Sequence, residues 1–398
     1  MKNNYPNDWK IEKLNNFSEI LVSNVNKKSL PNETNILLCN YMDVYRNRLI
    51  NKQVKFMKAT AKKNEIAKFL IKKEDILITK DSESPDDIAV PTLVNENFKN
   101  VLCGYHLAIL RPKVKYVYSK YLYYILETNK FRHYFFTLAN GVTRFGLSKG
   151  SIENALIPLP SIKEQKKIAC ILNSWDEAIE TLEQLIDSKL KLKKALMQKF
   201  FFNIKLTKTK KYKLIYLGEL FKERKEKNCN NLKLLSITSN KGVVDRNSIN
   251  KKDTSNSDKS KYLKIYKGDI GYNTMRMWQG VSGLSSLEGI VSPAYTILIP
   301  NKNIDVSYFS FLFKSAKMIN KFYRYSQGLV NDTLTLKFHN FSKIKVSIPK
   351  KSEQEKISKI FRQLESEITY ITKYKNKLSL QKKGLMQQLL TGKKRVKV

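Results

Sequence analysis

A stretch of about forty residues occurs twice in this 398-residue chain, 189 positions apart and without a gap. Leu159-Pro160-Ser161-Ile162-Lys163-Glu164-Gln165-Lys166-Lys167-Ile168 lies over Ile348-Pro349-Lys350-Lys351-Ser352-Glu353-Gln354-Glu355-Lys356-Ile357. The match runs on to Lys193-Lys194-Ala195-Leu196-Met197-Gln198 over Lys382-Lys383-Gly384-Leu385-Met386-Gln387. Looser correspondences precede each copy: Glu74-Asp75-Ile76 with Gly268-Asp269-Ile270, Tyr105–Pro112 with Pro293–Pro300, and Tyr121–Gly141 with Tyr308–Gly328. A period of this length means a tandem of similar halves, laid out as globule, helix, globule, helix. The length agrees, since at roughly 100–200 residues per domain a single small module is excluded.

The repeated segments read as long helices. Pro160 and Pro349 end an extended run and open each helix, and acidic or amide residues follow in the first turn, where the helix dipole favours them. Ile168, Ile171, Trp175, Ala178, Leu182, Leu185, Lys189, Leu192 and Leu196 alternate at spacings of three and four, a coiled-coil seam broken only at Lys189. The second copy supplies Ile357, Ile360, Leu364, Ile368, Ile371, Leu378 and Leu385, less regularly placed. Each helix would extend roughly 60 Å at 1.5 Å per residue, too long to bury its seam across one globule. Pairing the two antiparallel removes both seams from water and lends the chain an approximate two-fold. The expected fold is α+β: two globular α/β domains at 1–158 and 204–347, separated by helices at 159–203 and 348–392, with a basic, solvated tail at 393–398. Within the globules Ile36-Leu37-Leu38, Ile76-Leu77-Ile78, Leu107-Ala108-Ile109-Leu110 and Ile297-Leu298-Ile299 read as strands, interleaved with helices near 119–136 and 306–325. The basic run from Lys205 to Lys213 reads as the linker into the second half.

Charge then narrows the function. Seventy-four Lys and Arg against 35 Asp and Glu leave +39, an imbalance that favours a polyanionic partner able to neutralise it and release counterions. Cys39, Cys103, Cys170 and Cys229 form no C-x-x-C pair, so neither a zinc site nor a disulfide framework is indicated, and His106, His133 and His339 read as structural. No apolar signal core and no run near 18 apolar residues occurs; a soluble, reduced, cytoplasmic protein without membrane contact is expected. Enzymatic signatures are missing. There is no phosphate-binding G-x-x-x-x-G-K-[ST], no Pro-Pro of the kind an adenine methyltransferase needs, and no G-x-G turn for a methyl donor. Pro85-Asp86 is not followed by Glu-x-Lys or Asp-x-Lys, so the carboxylate pair of a metal nuclease is lacking, and neither a catalytic nor a metal site is assigned.

The duplication, the doubled Pro-x-x-x-Glu-Gln helix openings and the missing catalytic motifs together resemble the specificity subunit of type I restriction-modification enzymes, over nearly the whole length. Tyr272-Asn273-Thr274-Met275-Arg276-Met277-Trp278-Gln279-Gly280 with Gly289-Ile290-Val291-Ser292-Pro293-Ala294-Tyr295 is similar to a recurrent recognition-domain type, as is Thr79-Lys80-Asp81-Ser82-Glu83 with Cys103-Gly104-Tyr105-His106. One departure is that Ser161 and Lys350 stand where a second proline is expected. The resemblance implies a reader that catalyses nothing itself. Two target-recognition domains would each read half of a bipartite double-stranded DNA site, and the helices would set the spacer and dock two modification subunits. The resemblance places adenine N6 methylation with S-adenosylmethionine in those subunits, and ATP- and Mg-dependent translocation and cleavage in restriction subunits, so no cofactor is assigned to this chain. The alternatives are the specificity component of a related bipartite, Type IIB-like system, or an autonomous methyltransferase or nuclease with degenerate motifs.

Phosphate contacts position a protein on DNA and base contacts specify, so short runs mixing Arg, amides and rings are the candidates for readout. In the first globule these are Tyr41, Asp43, Tyr45, Arg46 and Asn47, read as a loop at a strand end, with Lys80, Asp81 and Ser82 and the Arg144 that follows Gly141. Acidic groups such as Asp81 belong there only if they accept from cytosine amino groups. In the second, Asn273, Arg276, Trp278 and Gln279 are the sharpest candidates, with a core role for Trp278 equally open. Lys241, Arg246 and Asn331 are weaker. The seam residues expected to join the helices are Ile168, Ile171, Trp175, Leu182, Leu185, Leu192, Leu196, Ile357, Leu364, Ile368, Ile371, Leu378 and Leu385.

Overall fold

The computed structural model describes residues 5–202, 212–227, 231–249, 258–330 and 333–397. The linker expected at 205–213 lies almost wholly outside these residues, as do Cys229 and Asn331. The chain divides into two compact units, Met1–Leu182 with Tyr374–Val398, and Glu183–Lys373. Both cuts fall inside the long helices Ile162–Met197 and Lys351–Leu389, so each helix contributes one part to each unit. The runs read as strands lie in Thr34–Cys39, Ile76–Thr79, Leu107–Pro112 and Tyr295–Pro300. The helical stretches resolve into Ser119–Leu126, Asn129–Leu138, Val306–Leu312 and Ala316–Tyr325.

In each unit the chain enters and leaves along one antiparallel ladder. Lys10–Lys13 pairs with Leu156–Leu159, and Tyr212–Tyr216 with Lys345–Pro349, delivering the backbone to the proline at each helix start. The first unit then builds a five-stranded sheet in the order Ser18–Val22, Leu107–Pro112, Ile76–Thr79, Pro91–Val94, Leu49–Ile50. The second repeats the first four places with Phe221–Arg224, Tyr295–Pro300, Ile270–Asn273 and Ser282–Leu284. The loose Asp75/Asp269 correspondence now has a cause. Each carboxylate accepts a backbone N–H three residues back, from Lys72 or Tyr266, and grips a guanidinium with both oxygens. Arg111 supplies that guanidinium from one sheet strand and Arg224 from the neighbouring one, so the halves reach the same bidentate pair by different routes.

The Glu-Gln opening is explained by its glutamine. Gln165 is buried; its amide donates to Pro160 O (2.9 Å) and its carbonyl accepts from Tyr118 N (2.8 Å), at the start of helix Ser119–Leu126. Gln354 does the same with Pro349 O (2.9 Å) and Asp305 N (3.0 Å), at the start of Val306–Leu312. One side chain thus satisfies a strand-end carbonyl and a helix-start N–H that burial would otherwise orphan.

Within the first unit the opening of the first long helix packs against the closing of the second: Ile168, Ala169 and Leu172 share a core with Leu389 and Leu390, and Ile171 and Leu385 pack on it. Within the second unit the roles reverse, Leu196, Met197, Phe200 and Phe201 meeting Ile357 and Phe361. The helices are antiparallel in both, as expected, and Trp175, Leu182, Leu364, Ile368, Ile371 and Leu378 are buried or half-buried. Leu185 and Leu192 correct the expected seam. Both are exposed, as is Ile360, while Ile186 is half-buried and Lys189 and Lys193 reach Glu367 and Glu365 at 2.6 Å. The stripe of leucines and the stripe one residue on both satisfy three-four spacing, and the cross-helix ion pairs select the second.

The C-terminal tail is a second correction. Instead of being free in solvent, Arg395 donates to Asp8 (2.9 and 2.7 Å) and to the buried carboxylate of Glu164 (2.7 and 2.8 Å), and Val396 packs on the first core. These contacts hold its guanidinium above the usual arginine range, the hydrogen bond to Glu164 foremost. No helix among the described residues is long and apolar enough to cross a membrane.

Candidate nucleic-acid interface

In the first unit Tyr41–Arg46 is a short helix, where a loop was expected. Asn40 opens it with a capping box, Asp43 accepting from Asn40 N at 2.8 Å, and Asn47 donates back to Asp43 O at 2.8 Å. Asp43 and Asn47 are therefore engaged at the helix's own ends. The helix sets Tyr41 and Tyr45 one turn apart, their rings stacked at 5.7 Å. Tyr41 meets the Ser82 hydroxyl (3.2 Å), and Tyr45 donates to Asp87 (3.1 Å), a bond that raises its phenol above the ordinary value. Arg46 is exposed at the end of this helix.

Asp81 is the hub beside them. The two-residue strand Asp81–Ser82 pairs with Phe145–Gly146, which brings Arg144 back across the sheet end. Arg144 Nε donates to Asp81 Oδ1 (3.0 Å), Lys80 Nζ lies 3.4 Å from Asp81 Oδ2, and His106 Nδ1 bonds Oδ1 directly. Arg144 Nη2 also lies 3.2 Å from His106 Nε2. A neutral imidazole satisfies every group, with Nδ1–H donating to Asp81 and Nε2 accepting from Arg144. Burial, aided by Arg144 and Lys80 and opposed by Asp81, holds the His106 pKa below its usual value and favours that form. Asp81 thus orients Arg144 and leaves the outer Nη1/Nη2 edge of the guanidinium for a ligand. Sequence reasoning missed His106, because its partners sit 25 and 38 residues away.

In the second unit Asn273, Arg276, Trp278 and Gln279, named from one run of sequence, line a single cavity of about 820 Å³ together with Arg246, Thr238 and Tyr295. The 3-10 turn Met277–Gln279 buries Met277 and turns Arg276 and Gln279 out to solvent. Asn273 accepts from Met275 N (3.0 Å), Trp278 donates to Met275 O (3.0 Å), and the half-buried indole packs edge-on to Tyr323 at 6.1 Å, so the open alternative for Trp278 resolves to a wall of this cavity. Lys241 lies elsewhere, at the turn between strands Leu235–Thr238 and Gly242–Asp245, lining a cleft with Lys314 and Arg362. Each unit therefore offers guanidinium, amide or hydroxyl groups and flat rings on fixed backbone, the inventory that reads base edges in a groove.

A family model described as the type I restriction modification DNA specificity domain matches residues 6–192 and again 209–380. The chain belongs to this family. It is 24% identical over 410 aligned residues to a provisionally named MjaX type I restriction enzyme specificity subunit of Methanocaldococcus jannaschii, covering 98% of this chain and 95% of that one. The MjaVIII specificity subunit of the same organism is 26% identical over 371 residues, 86% of this chain and 83% of the other. Among solved structures, the type I restriction-modification S subunit from M. genitalium superposes with a TM-score of 0.61 at 19% identity over 98% and 97% of the two chains. A chain from a structure of type I R-M complex assembly and conformational transition gives 0.57 at 11% identity over 98% and 99%. This specificity subunit thus carries two copies of the DNA specificity domain, and the Asp81 hub and the Arg276 cavity fall in different copies.

Proposed function

We propose that this specificity subunit addresses a bipartite double-stranded DNA site, the first unit reading one half and the second the other, while its long helices set the spacing and dock two modification subunits. In this reading the chain itself catalyses nothing. The modification subunits methylate adenine N6 with S-adenosylmethionine, restriction subunits translocate and cut DNA with ATP and Mg, and binding to the chromosome keeps the complex on the nucleoid in the cytoplasm. The observation that carries the proposal is the gathering of Asn273, Arg276, Trp278 and Gln279 around one cavity in one domain copy, and of Tyr41, Ser82, Asp81 and Arg144 around one hub in the other. Arg pairs bidentately with guanine and Asn or Gln with adenine, each about 1–3 kcal/mol of discrimination.

The test is to purify the full chain alone and with its modification subunits, and to map methylated adenines. The chain alone is inert, and the complex marks an asymmetric two-part sequence with a fixed gap. Arg276→Ala abolishes modification of that sequence with assembly intact. A full chain that methylates or cuts DNA unaided, or an Arg276→Ala complex that methylates fully, refutes the assignment.

A further inference from the structure

Two aliphatic side chains stand almost entirely in solvent. Val142 is 93% exposed and Leu329 101%, whereas the next most exposed large apolar side chain among the described residues, Leu380, is at 72%. They occupy equivalent places. Each follows a glycine with left-handed backbone, Gly141 at φ 146° and Gly328 at φ 153°. Each glycine is pressed against its own loop: a Cβ would lie 1.9 Å from Arg144 O in one and 2.6 Å from Thr333 O in the other. With no room behind them, these turns hold the following side chain outward.

Both loops are closed at their bases by backbone hydrogen bonds. Asn140 and Gly146 exchange backbone hydrogen bonds of 3.0 and 2.9 Å across the base of the first, and Gln327 and Thr335 bonds of 2.9 and 2.8 Å across the second. Val330, after Leu329, is pinned by Thr333 through its N–H (3.2 Å) and its carbonyl (3.0 Å). Both loops are also tied to the candidate readers. Leu147 N donates to Lys80 O (2.9 Å), beside Asp81, and Leu336 N donates to Thr274 O (2.8 Å), next to Asn273.

We infer that Val142 in the first unit and Leu329 in the second are wedges that enter the base stack of the duplex read by the polar side chains beside them. The inference rests on the proposed DNA-reading function. A docked protein would need a contiguous apolar patch, but each tip is one or two side chains, Val142 followed by Thr143 and Arg144 and Leu329 with Val330 followed in sequence by Asn331, Asp332 and Thr333. A gap between base pairs is the site that accepts a single aliphatic side chain, and a chain of net charge +39 is drawn to it. The consequence is a local unstacking in each half-site, which lowers the cost of extruding a base for chemistry carried out by another subunit.

The experiment uses the full chain assembled with its modification subunits, on duplexes carrying the sequence mapped for the wild type, with 2-aminopurine moved stepwise through each half. Wild type raises the fluorescence at one step per half. Val142→Ser removes the rise in the first half alone and Leu329→Ser in the second alone. Each weakens cognate binding by roughly tenfold or more, the scale of one buried aliphatic side chain, and leaves non-specific binding within about twofold. Val142→Leu keeps both signals. Because both side chains touch solvent and not the core, folding is untouched. Unchanged fluorescence in both Ser variants overturns the inference. So does loss of co-purification with the modification subunits while the full chain's own DNA binding stays intact, since the tips would then dock protein. A wild-type complex that marks no two-part sequence breaks the parent reading before any variant is made.

Discussion

Lys382 with Asp176 in the first unit and Lys193 with Glu365 in the second stand at equivalent positions of the repeat, and both pairs close at 2.6 Å. Their surroundings differ. Asp176 also accepts from the Tyr124 hydroxyl (2.7 Å) and lies 3.8 Å from Arg48, and the side chains of Lys382 and Asp176 are about one-tenth exposed. Lys193 and Glu365 are 29% and 46% exposed. The repeat places the same charges in both halves, but the first unit encloses them and the second leaves them partly open to water. An ion pair's energetic weight is therefore set by what surrounds it, and not by the residues that form it.

Removing one partner should separate the two units most. Asp176→Ala removes the enclosed carboxylate nearest Lys382 and the acceptor of the Tyr124 hydroxyl, leaving Lys382 with Glu127 at 3.7 Å and Arg48 with Glu180 at 2.7 Å. It is expected to cost about 3 kcal/mol, against about 0.2–1 kcal/mol for Glu365→Ala, read by denaturant unfolding. Equal losses would remove the contrast. Gln165→Ala and Gln354→Ala supply the control, because their hydrogen bonds are nearly identical. Each should cost about 1–3 kcal/mol per backbone group left unpartnered, and the two should match. Deleting residues 394–398 sharpens the comparison next. It strips Arg395 from the buried Glu164, and hydrogen exchange should quicken in the first unit while the second is unchanged. The smallest effect is pH-dependent. The His106 pKa is held below its unfolded value near 6.5, so its contribution is present above that pH and is lost as pH falls through the folded value. First-unit stability should decline on acidification in that window, and His106→Gln should flatten the decline.

The comparison also shows where sequence was legible. The helix openings, the long helices and the sheet strands follow from local rules, since proline ends a strand and apolar periodicity names the element, whereas the bridging role of Gln165 and Gln354 rests on Tyr118 and Asp305, 47 and 49 residues away. The helix seam was only partly legible. Leucines at three-four spacing fit two adjacent stripes, and Glu365 and Glu367, far along the chain, decide between them. The helix Tyr41–Arg46 carried a readable signal in Asn40 and Asp43, three apart as a capping box requires, beneath a composition that suggests a loop. Nothing local gave the roles of His106, Val142 or Arg395. Each owes its role to a partner or an exposure that exists only after folding.

From sequence alone came the tandem halves, the paired helices, the positive charge and the Arg276 cluster, because repetition, periodicity and composition are properties of the chain itself. Tertiary structure alone decided which copy of each repeated residue is shielded, which stripe of the helix faces its mate, and that Asp81 holds Arg144. Those outcomes depend on desolvation, and desolvation is fixed by whatever distant segment packs over a group.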